Sequence, residues 1–191
     1  MTTTLVALGL FGVLVAAAIA VLLMALLRSR KFRVEGAVPL DAPADRVYAE
    51  LEDFGRWRTW SAWAARDPAM ALRLTGARAG MGAACTWAGD RITGSGGMEV
   101  VHAVPRQRLI IRVIYRSPRE LEAILEFEVR AQPDGGTLLA WAFHGPASLR
   151  LRILDVVRLL GRQVRAEMSH NLAGLRGALE QPAAAATQST P

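Results

Sequence analysis

Histidine is the side chain that most often acts as a general acid, a general base or a metal ligand near neutral pH, and the chain has three, His102, His144 and His170. No His-x-His or His-Glu-x-x-His spacing occurs, and a single cysteine cannot complete a zinc set. No metal site is therefore predicted. His102 shares strand parity with Met98 and Val100, which places it on the inward face, either as a hydrogen-bonded core histidine or as a base that needs an orienting partner.

Ser61 and Cys85 are the candidate nucleophiles, and their surroundings argue against that role. Neither lies in a Gly-x-Ser-x-Gly turn, and neither has a basic partner nearby in the sequence. A lone cysteine between alanine and threonine usually packs as a small apolar residue. Glu122, Glu126 and Glu128 alternate with apolar residues and are expected to form a solvated strand face, paired with arginines of neighbouring strands. No catalytic residue is predicted, and no glycine pattern indicates a nucleotide cofactor.

Aromatic side chains are the remaining candidates for contact with a ligand. Three of the five tryptophans, Trp57, Trp60 and Trp63, are three residues apart, so on one helix they would lie along one side. Trp60 and Trp63 are then expected to plug one end of a cavity, with Trp57 nearer its rim. The side chains expected to line an apolar cavity, or to pack the core instead, are Trp60, Trp63, Trp87, Tyr115, Phe127, Trp141 and Phe143, together with His102.

The most pronounced signal in the chain is an uncharged apolar segment from Leu5 to Leu27. As a helix it would be roughly 34 Å long, enough to cross a hydrocarbon core of about 30 Å. A cleaved signal peptide is the alternative interpretation, but such a peptide carries positive charge before a shorter apolar run. Here only residues 1–4 precede the segment, and the charges follow it. These features favour a retained transmembrane helix.

The charges after this segment predict its orientation. Positive residues stay on the cytoplasmic side of a membrane, and Arg28, Arg30, Lys31 and Arg33 follow the apolar run, the first three within residues 28–31. We therefore expect a single-pass protein of a bacterial inner or plasma membrane, with the N-terminus out and the domain in the cytoplasm. The lone cysteine agrees with a reducing compartment.

The basic character of the chain raises the question of its partner. The net charge is +6 and the isoelectric point about 10.8. No long basic run and no nucleic-acid-binding motif accompanies that charge. Beside a membrane anchor, the headgroups of anionic lipids are the expected partner, and nucleic acid is not.

The elements that position these residues follow from the hydrophobic period. Residues 32–40 alternate weakly and predict a strand, after which Asp41 is the expected N-cap of a short helix with Pro43 in its first turn. The tryptophan segment is expected to form a second short helix. Residues 69–145 contain six strand-length segments of period two, separated by glycine and proline turns.

A different period follows these strands. From Leu149 to Leu179 apolar residues recur every three or four positions, which predicts one long helix with an apolar stripe. Gly161 and Gly174 lie inside it, where they allow a bend. Residues 181–191 have no apolar period and are expected to be a disordered tail.

This order of elements resembles the START-like or SRPBCC superfamily, in its polyketide cyclase/dehydrase-type branch, over residues 32–180. The matching segments are APADRVYAELEDFGRWRTWSAW (42–63), GARAGMGAACTWAG (76–89), GGMEVVHAVPRQRLIIRV (96–113), GGTLLAWAFHG (135–145) and HNLAGLRGALE (170–180). The resemblance implies an α+β helix-grip fold. In it, a seven-stranded antiparallel curved sheet wraps a long C-terminal helix, with two short helices after the first strand. Here one transmembrane helix is expected to precede that domain.

The resemblance also implies a cavity for lipids, sterols, polyketides or other apolar ligands, and a chemistry only in some branches. The preferred hypothesis is a membrane-anchored domain that binds a hydrophobic small molecule or a lipid from the adjacent leaflet. One alternative is a cyclase- or dehydratase-like enzyme that uses His102 or a tyrosine in the cavity. Another is a non-catalytic protein-interaction module, which a large exposed apolar patch on the long helix would indicate. The sequence predicts no cofactor and indicates no oligomeric state.

Overall fold

The computed structural model describes residues 2–180, in which an N-terminal helix precedes a mixed α+β domain. The helices are α1 (Thr2–Leu27), α2 (Ala44–Glu52), α3 (Trp57–Trp60), α4 (Ala62–Arg66), α5 (Leu149–Val156) and α6 (Leu159–Glu180). The strands are β1 (Lys31–Leu40), β2 (Ala71–Gly76), β3 (Ala83–Ala88), β4 (Ser95–Val104), β5 (Arg108–Ser117), β6 (Leu121–Ala131) and β7 (Thr137–Pro146). The expected tail, residues 181–191, lies outside the described residues.

The strands form one seven-stranded sheet in the order β1-β7-β6-β5-β4-β3-β2, and every neighbouring pair is antiparallel. Helix α6 packs on the inner face of this sheet, where Met168, Leu175 and Leu179 join a core cluster with residues of β1 and β3 to β7. The predicted helix-grip fold is thereby confirmed.

Strand β6 shows why the pattern of alternating residues identified the sheet. Ala123, Leu125, Phe127 and Val129 are buried, and the residues between them are half-buried or more exposed. The intervening Glu126 lies 3.6 Å from Arg108 and 3.1 Å from the Nε2 atom of His144, both on neighbouring strands. Because side chains alternate between faces, one polar face and one apolar face result, as predicted.

The start of α2 differs from the prediction. Pro43, with φ −62° and ψ 147°, occupies the N-cap position, and no side chain caps the helix. The amides of Arg46 and Val47 donate to the carbonyl oxygen of Pro43 instead. Asp41 lies two residues too early to cap, because the ring of Pro43 fixes the extended residue from which the helix begins.

The tryptophan segment is not one helix but two single turns, α3 and α4, separated at Ser61. Ser61 is extended, with ψ 140°, and the next amide, that of Ala62, donates to the side-chain oxygen of Asn171 at 2.8 Å. A Cβ on Gly174 would overlap the carbonyl oxygen of Trp60, so α3 approaches α6 as closely as only glycine permits. The contact with α6 breaks the helix that the spacing of the tryptophans predicted.

The predicted C-terminal helix is also interrupted, but not at its glycines. Gly161 and Gly174 lie inside the continuous α6, and the break falls at Val157 and Arg158, before α6 begins. Arg158 has φ +57°, a left-handed conformation that ends the preceding helix. The prediction of one continuous helix was therefore wrong, and α5 turns towards α1.

Helix α1 is long and apolar enough to cross a membrane, with a mean hydropathy of 3.0 in its most apolar window. Its side chains are exposed along nearly the whole length, and only Ala25 is fully buried. The C-terminal end of α1 contacts α5, since the Arg152 guanidinium donates to the carbonyl oxygen of Leu26 at 3.4 Å and Arg28 lies 3.7 Å from Asp155.

Candidate functional site

A groove of about 1,330 Å³ opens between the ends of β5, β6 and β7 on one side and helices α5 and α6 on the other. We call it the large groove. Its floor belongs to a hydrophobic cluster built around Phe32 and Leu160, separate from the main core. The apolar side chains that line it include Phe32, Ile114, Leu121, Phe143, Leu151, Leu160 and Val164. Apolar surface with this much open space is characteristic of a binding site.

Charged residues border the large groove. Four arginines line it, namely Arg30, Arg116, Arg119 and Arg150, against two carboxylates, Glu120 and Glu122. Among residues 2–180 none of these arginines has a carboxylate within 4.0 Å. An excess of cationic groups without ion pairs above an apolar floor favours a ligand with an apolar body and an anionic end.

A second opening, the small pocket, has a volume of about 260 Å³ and lies between α4, α6 and the strands β3 to β5. Trp63, Trp87 and Tyr115 line it, with ring centroids 6.2 Å apart for the two tryptophans and 5.5 Å apart for Trp87 and Tyr115. An ion pair of 2.7 Å between Arg66 and Glu167 links α4 to α6 at its edge.

Tyr115 connects the two spaces, because it lines both the large groove and the small pocket. Burial, and then the nearby charge of Glu167, raises the pKa of Tyr115 to about 12. The phenol therefore keeps its proton at neutral pH. It can donate a hydrogen bond to a ligand, but it is a poor source of a general base.

The aromatic residues selected from the sequence fall into distinct places. Trp63, Trp87 and Tyr115 line the small pocket, and Phe143 lines the large groove with Tyr115. Trp60 and Phe127 belong to the packed core, and neither lines either space. The indole of Trp141 is also buried and packs over Gly36, where a Cβ would lie only 3.0 Å from its ring.

His102 is the clearest departure from the expected cavity lining. Its side chain is exposed, whereas Met98 and Val100 on the same strand are buried. The pairing of β4 with β5 shifts between Val100 and His102, so Val101 is an extra residue in the strand. Such a bulge reverses the alternation beyond it, and His102 consequently faces solvent.

The order of the three clustered tryptophans is also different from the expectation. Trp57, predicted near the rim, is 4 % exposed and donates its indole N–H to the carbonyl oxygen of Leu51 at 3.0 Å. Its ring contacts those of Phe54, Trp60 and Trp63, at centroid distances of 5.3, 4.9 and 6.5 Å. Because Ser61 breaks the helix, Trp63 lies at the pocket and Trp57 in the core.

The remaining reactive side chains offer no catalytic arrangement. Cys85 is buried, and desolvation raises the pKa of its thiol to about 12, which removes the thiolate needed for attack. Across residues 2–180 no group of three His, Cys, Asp or Glu side chains could hold a metal ion. The hydroxyl of Ser61 is buried without a hydrogen-bond partner among the described residues.

The cationic residues after α1 do not act as one group. Arg28 pairs with Asp155, and Arg33 donates to Glu35 at 2.8 Å, whereas Arg30 lines the large groove and Lys31 begins β1. Of the other groove residues, Tyr115 and Phe143 were selected from the sequence as cavity lining, and the remaining ones were not. The segment RSPRE (116–120) between β5 and β6 was the available signal, since it places two arginines beside Tyr115.

A curved antiparallel sheet closed over a long helix, with apolar openings at the interface, defines a START-like ligand-binding domain. Residues 31–180 match the family described as polyketide cyclase / dehydrase and lipid transport, and the chain belongs to that family. The resemblance expected from the sequence is confirmed.

Solved structures share this fold at low sequence identity. Protein MLL2253 from Mesorhizobium loti is 14% identical with a TM-score of 0.58, covering 78% of this chain and 97% of its own. The Aha1 dimer from Colwellia psychrerythraea is 13% identical with a TM-score of 0.56, covering 78% and 96%. Protein CV1439 from Chromobacterium violaceum is 14% identical with a TM-score of 0.54, covering 80% and 99%. No curated protein matches the chain.

Proposed function

We propose that the protein is a membrane-anchored START-like domain that binds a hydrophobic small molecule or lipid in the large groove. The ligand is taken from the leaflet next to the domain, on the cytoplasmic side of the membrane. One observation carries this proposal: an apolar groove of about 1,330 Å³ lies directly beside the end of the apolar helix α1.

The dimensions of the two spaces support an amphiphile as the ligand. Pockets for small molecules usually have volumes of about 300–1,000 Å³, so the large groove, at about 1,330 Å³, has room for an acyl chain together with part of a polar group. The small pocket, at about 260 Å³, adjoins it through Tyr115 and Pro118. It offers a narrower apolar extension for the end of a chain.

The position of the groove supports a membrane source. Arg30 lines the groove and lies three residues beyond Leu27, the last residue of α1. When α1 crosses a bilayer, its C-terminal end lies at the headgroups, and the groove then opens at the same level. A lipid would reach the apolar floor without passing through bulk water, which removes the main free-energy cost of moving an acyl chain.

Neither alternative has a comparable observation in its favour. The enzyme hypothesis loses His102, which is exposed, and keeps only Tyr115, whose pKa is raised to about 12. The interaction-module hypothesis expected a large exposed apolar patch on the long helix. On the predicted helix, residues 149–179, the exposed large hydrophobic residues are Leu149, Val157 and Leu159, and none lies further along α6, so no apolar stripe runs along the long helix.

The test is to purify the full-length protein from membranes in mild detergent and to identify bound molecules by native mass spectrometry. Leu121→Trp fills the groove from β6, and Leu74→Trp places the same ring on an exposed position of β2 away from both openings. We expect a bound lipid in the wild type and in Leu74→Trp, and its loss in Leu121→Trp. A wild-type protein without bound lipid, or a Leu121→Trp variant that retains it, would refute the proposal.

A further inference from the structure

Helix α5 and the turn into α6 carry exposed apolar side chains that the proposed binding site does not use. Leu149, the first residue of α5, is 38 % exposed, and the two residues that flank the turn, Val157 and Leu159, are 50 % and 39 % exposed. The left-handed residue Arg158, with φ +57°, separates Val157 from Leu159 and makes the chain turn there. We call Leu149, Val157 and Leu159 the apolar corner.

Arginines are interspersed among the residues of the apolar corner along the sequence. The segment 149–162 contains four arginines, Arg150, Arg152, Arg158 and Arg162, against one acidic residue, Asp155. Among residues 2–180, neither Arg158 nor Arg162 has a carboxylate within 4.0 Å. Apolar side chains among arginines are typical of segments that lie in the interface of an anionic membrane.

Contacts with α1 fix the position of the apolar corner along the axis of that helix. Arg152 donates to the carbonyl oxygen of Leu26, and Asp155 lies 3.7 Å from Arg28. The next segment is also fixed, since the amide of Ala147 donates to the carbonyl oxygen of Arg30 at 2.7 Å. Helix α5 is therefore held at the level of residues 26–30, where a membrane-spanning α1 would leave the hydrocarbon core.

From this arrangement we propose that the apolar corner docks into the headgroup region of an anionic bilayer, as a second membrane contact besides α1. The inference rests on the proposed function, because it requires that α1 crosses the membrane. Two contacts fix the orientation of the domain, whereas one helix alone would let it rotate about the helix axis. Since Leu151 and Arg150 of the same helix line the large groove, docking also holds the groove against the lipid surface.

The experiment places a fluorescent label at single cysteines in full-length protein reconstituted in vesicles. Cys85 is first replaced (Cys85→Ala), and the label is attached at Val157→Cys or, as a matched control, at Met81→Cys. Met81 is an apolar residue that is 69 % exposed on the turn between β2 and β3. A third label at Leu14→Cys, in the middle of α1, reports whether the helix is inserted.

We expect the label at position 157 to be quenched several-fold less by aqueous iodide than the label at 81, and to be quenched by spin-labelled lipid. Phosphatidylglycerol in phosphatidylcholine vesicles should increase this difference. Arg158→Glu combined with Arg162→Glu should remove that increase without changing the quenching at position 14.

Two results would overturn the inference. Equal iodide quenching at 157 and 81, with position 14 inside the bilayer, would show that α1 is inserted and the corner is not docked. Protection at 157 without quenching by spin-labelled lipid would show that a protein, or a second copy of the chain, covers the corner. If the label at position 14 is in water, α1 is not inserted. That result would refute the proposed membrane anchor and, with it, this inference.

Discussion

The two spaces that meet at Tyr115 differ in how far side chains fill them. On the tryptophan side, Trp57 is surrounded by rings at centroid distances of 4.9 to 6.5 Å, and the small pocket next to Trp63 and Trp87 measures about 260 Å³. On the α1 side, half-buried Leu121 and Phe143 border a groove of about 1,330 Å³. Bulky rings therefore fill one side of Tyr115, and the larger opening lies on the side where α1 joins the domain.

Truncation of Trp57 should give the largest difference between the tryptophan side and the α1 side. Trp57→Ala removes a buried ring and its hydrogen bond to Leu51, and it should lower the free energy of unfolding by about 3–5 kcal/mol. Leu121→Ala, at a half-buried position, should cost much less and should lower lipid retention instead. Thermal unfolding in detergent and native mass spectrometry measure the two effects, and equal losses of stability would contradict this difference between the two sides.

Gly174 provides a test of how tightly the tryptophan side is packed against α6. Gly174→Ala places a methyl group on the carbonyl oxygen of Trp60, which is backbone and cannot rotate away, so we expect a loss of about 1–3 kcal/mol. Gly177→Ala is the control on the same helix, because no atom lies within 4 Å of its Cβ position. It should leave the melting temperature unchanged or raise it, with a gain of up to about 1 kcal/mol. A Gly174→Ala variant as stable as Gly177→Ala would show that α3 can move away.

Charge reversal at the large groove should act on binding rather than on stability. Arg116→Glu and Arg119→Glu each replace a cation at the groove by an anion, and we expect about fivefold less bound anionic lipid per substitution, from about 1 kcal/mol for each arginine. Arg73→Glu, on an exposed position of β2, should have no effect. Quantitative lipid analysis of the purified protein is the measurement. An unchanged lipid content would show that these arginines do not contribute to lipid binding.

The smallest effect is expected from Tyr115, which borders both spaces. Its pKa is raised from 10.0 to about 12, so the folded state retains the phenol proton that the unfolded state releases first. This contribution to stability is complete below about pH 10 and is lost as the pH rises towards about 12. Tyr115→Phe should therefore reduce the loss of stability between about pH 10 and about pH 12. Unfolding curves recorded at increasing pH measure this effect. Burial also raises the pKa of Cys85 to about 12. Cys85→Ala is therefore introduced both in the protein with Tyr115 and in the Tyr115→Phe variant, so that the difference between them is due to the tyrosine.

The sheet and its faces could be predicted because alternation along a strand is a local property. The buried residues Ala123, Leu125, Phe127 and Val129 follow directly from period two. The same rule failed at His102, because one extra residue at Val101 reverses the faces and no residue type marks such a bulge. Sequence reasoning thus identified the fold and misplaced its only inward-pointing histidine candidate.

The candidate site could be predicted only in part, because it depends on contacts between distant segments. Trp63, Trp87 and Tyr115 were selected for their size, and they meet at the small pocket. Residues of both α5 and α6 line the large groove, and these helices are separated at Arg158, which has a left-handed conformation. Arginine adopts that conformation rarely, so the sequence predicted a continuous helix where the groove has its wall.

The short connection between α1 and the sheet limits how far the domain can move from the end of α1. Only residues 28–30 separate the helix from β1, an edge strand fully paired with β7 from Lys31 to Leu40. Three residues span about 10 Å at most when extended. With α1 in the membrane, the domain could not leave the membrane surface with a bound ligand. It could load and unload only what the surrounding leaflet, or a visiting acceptor, brings within reach.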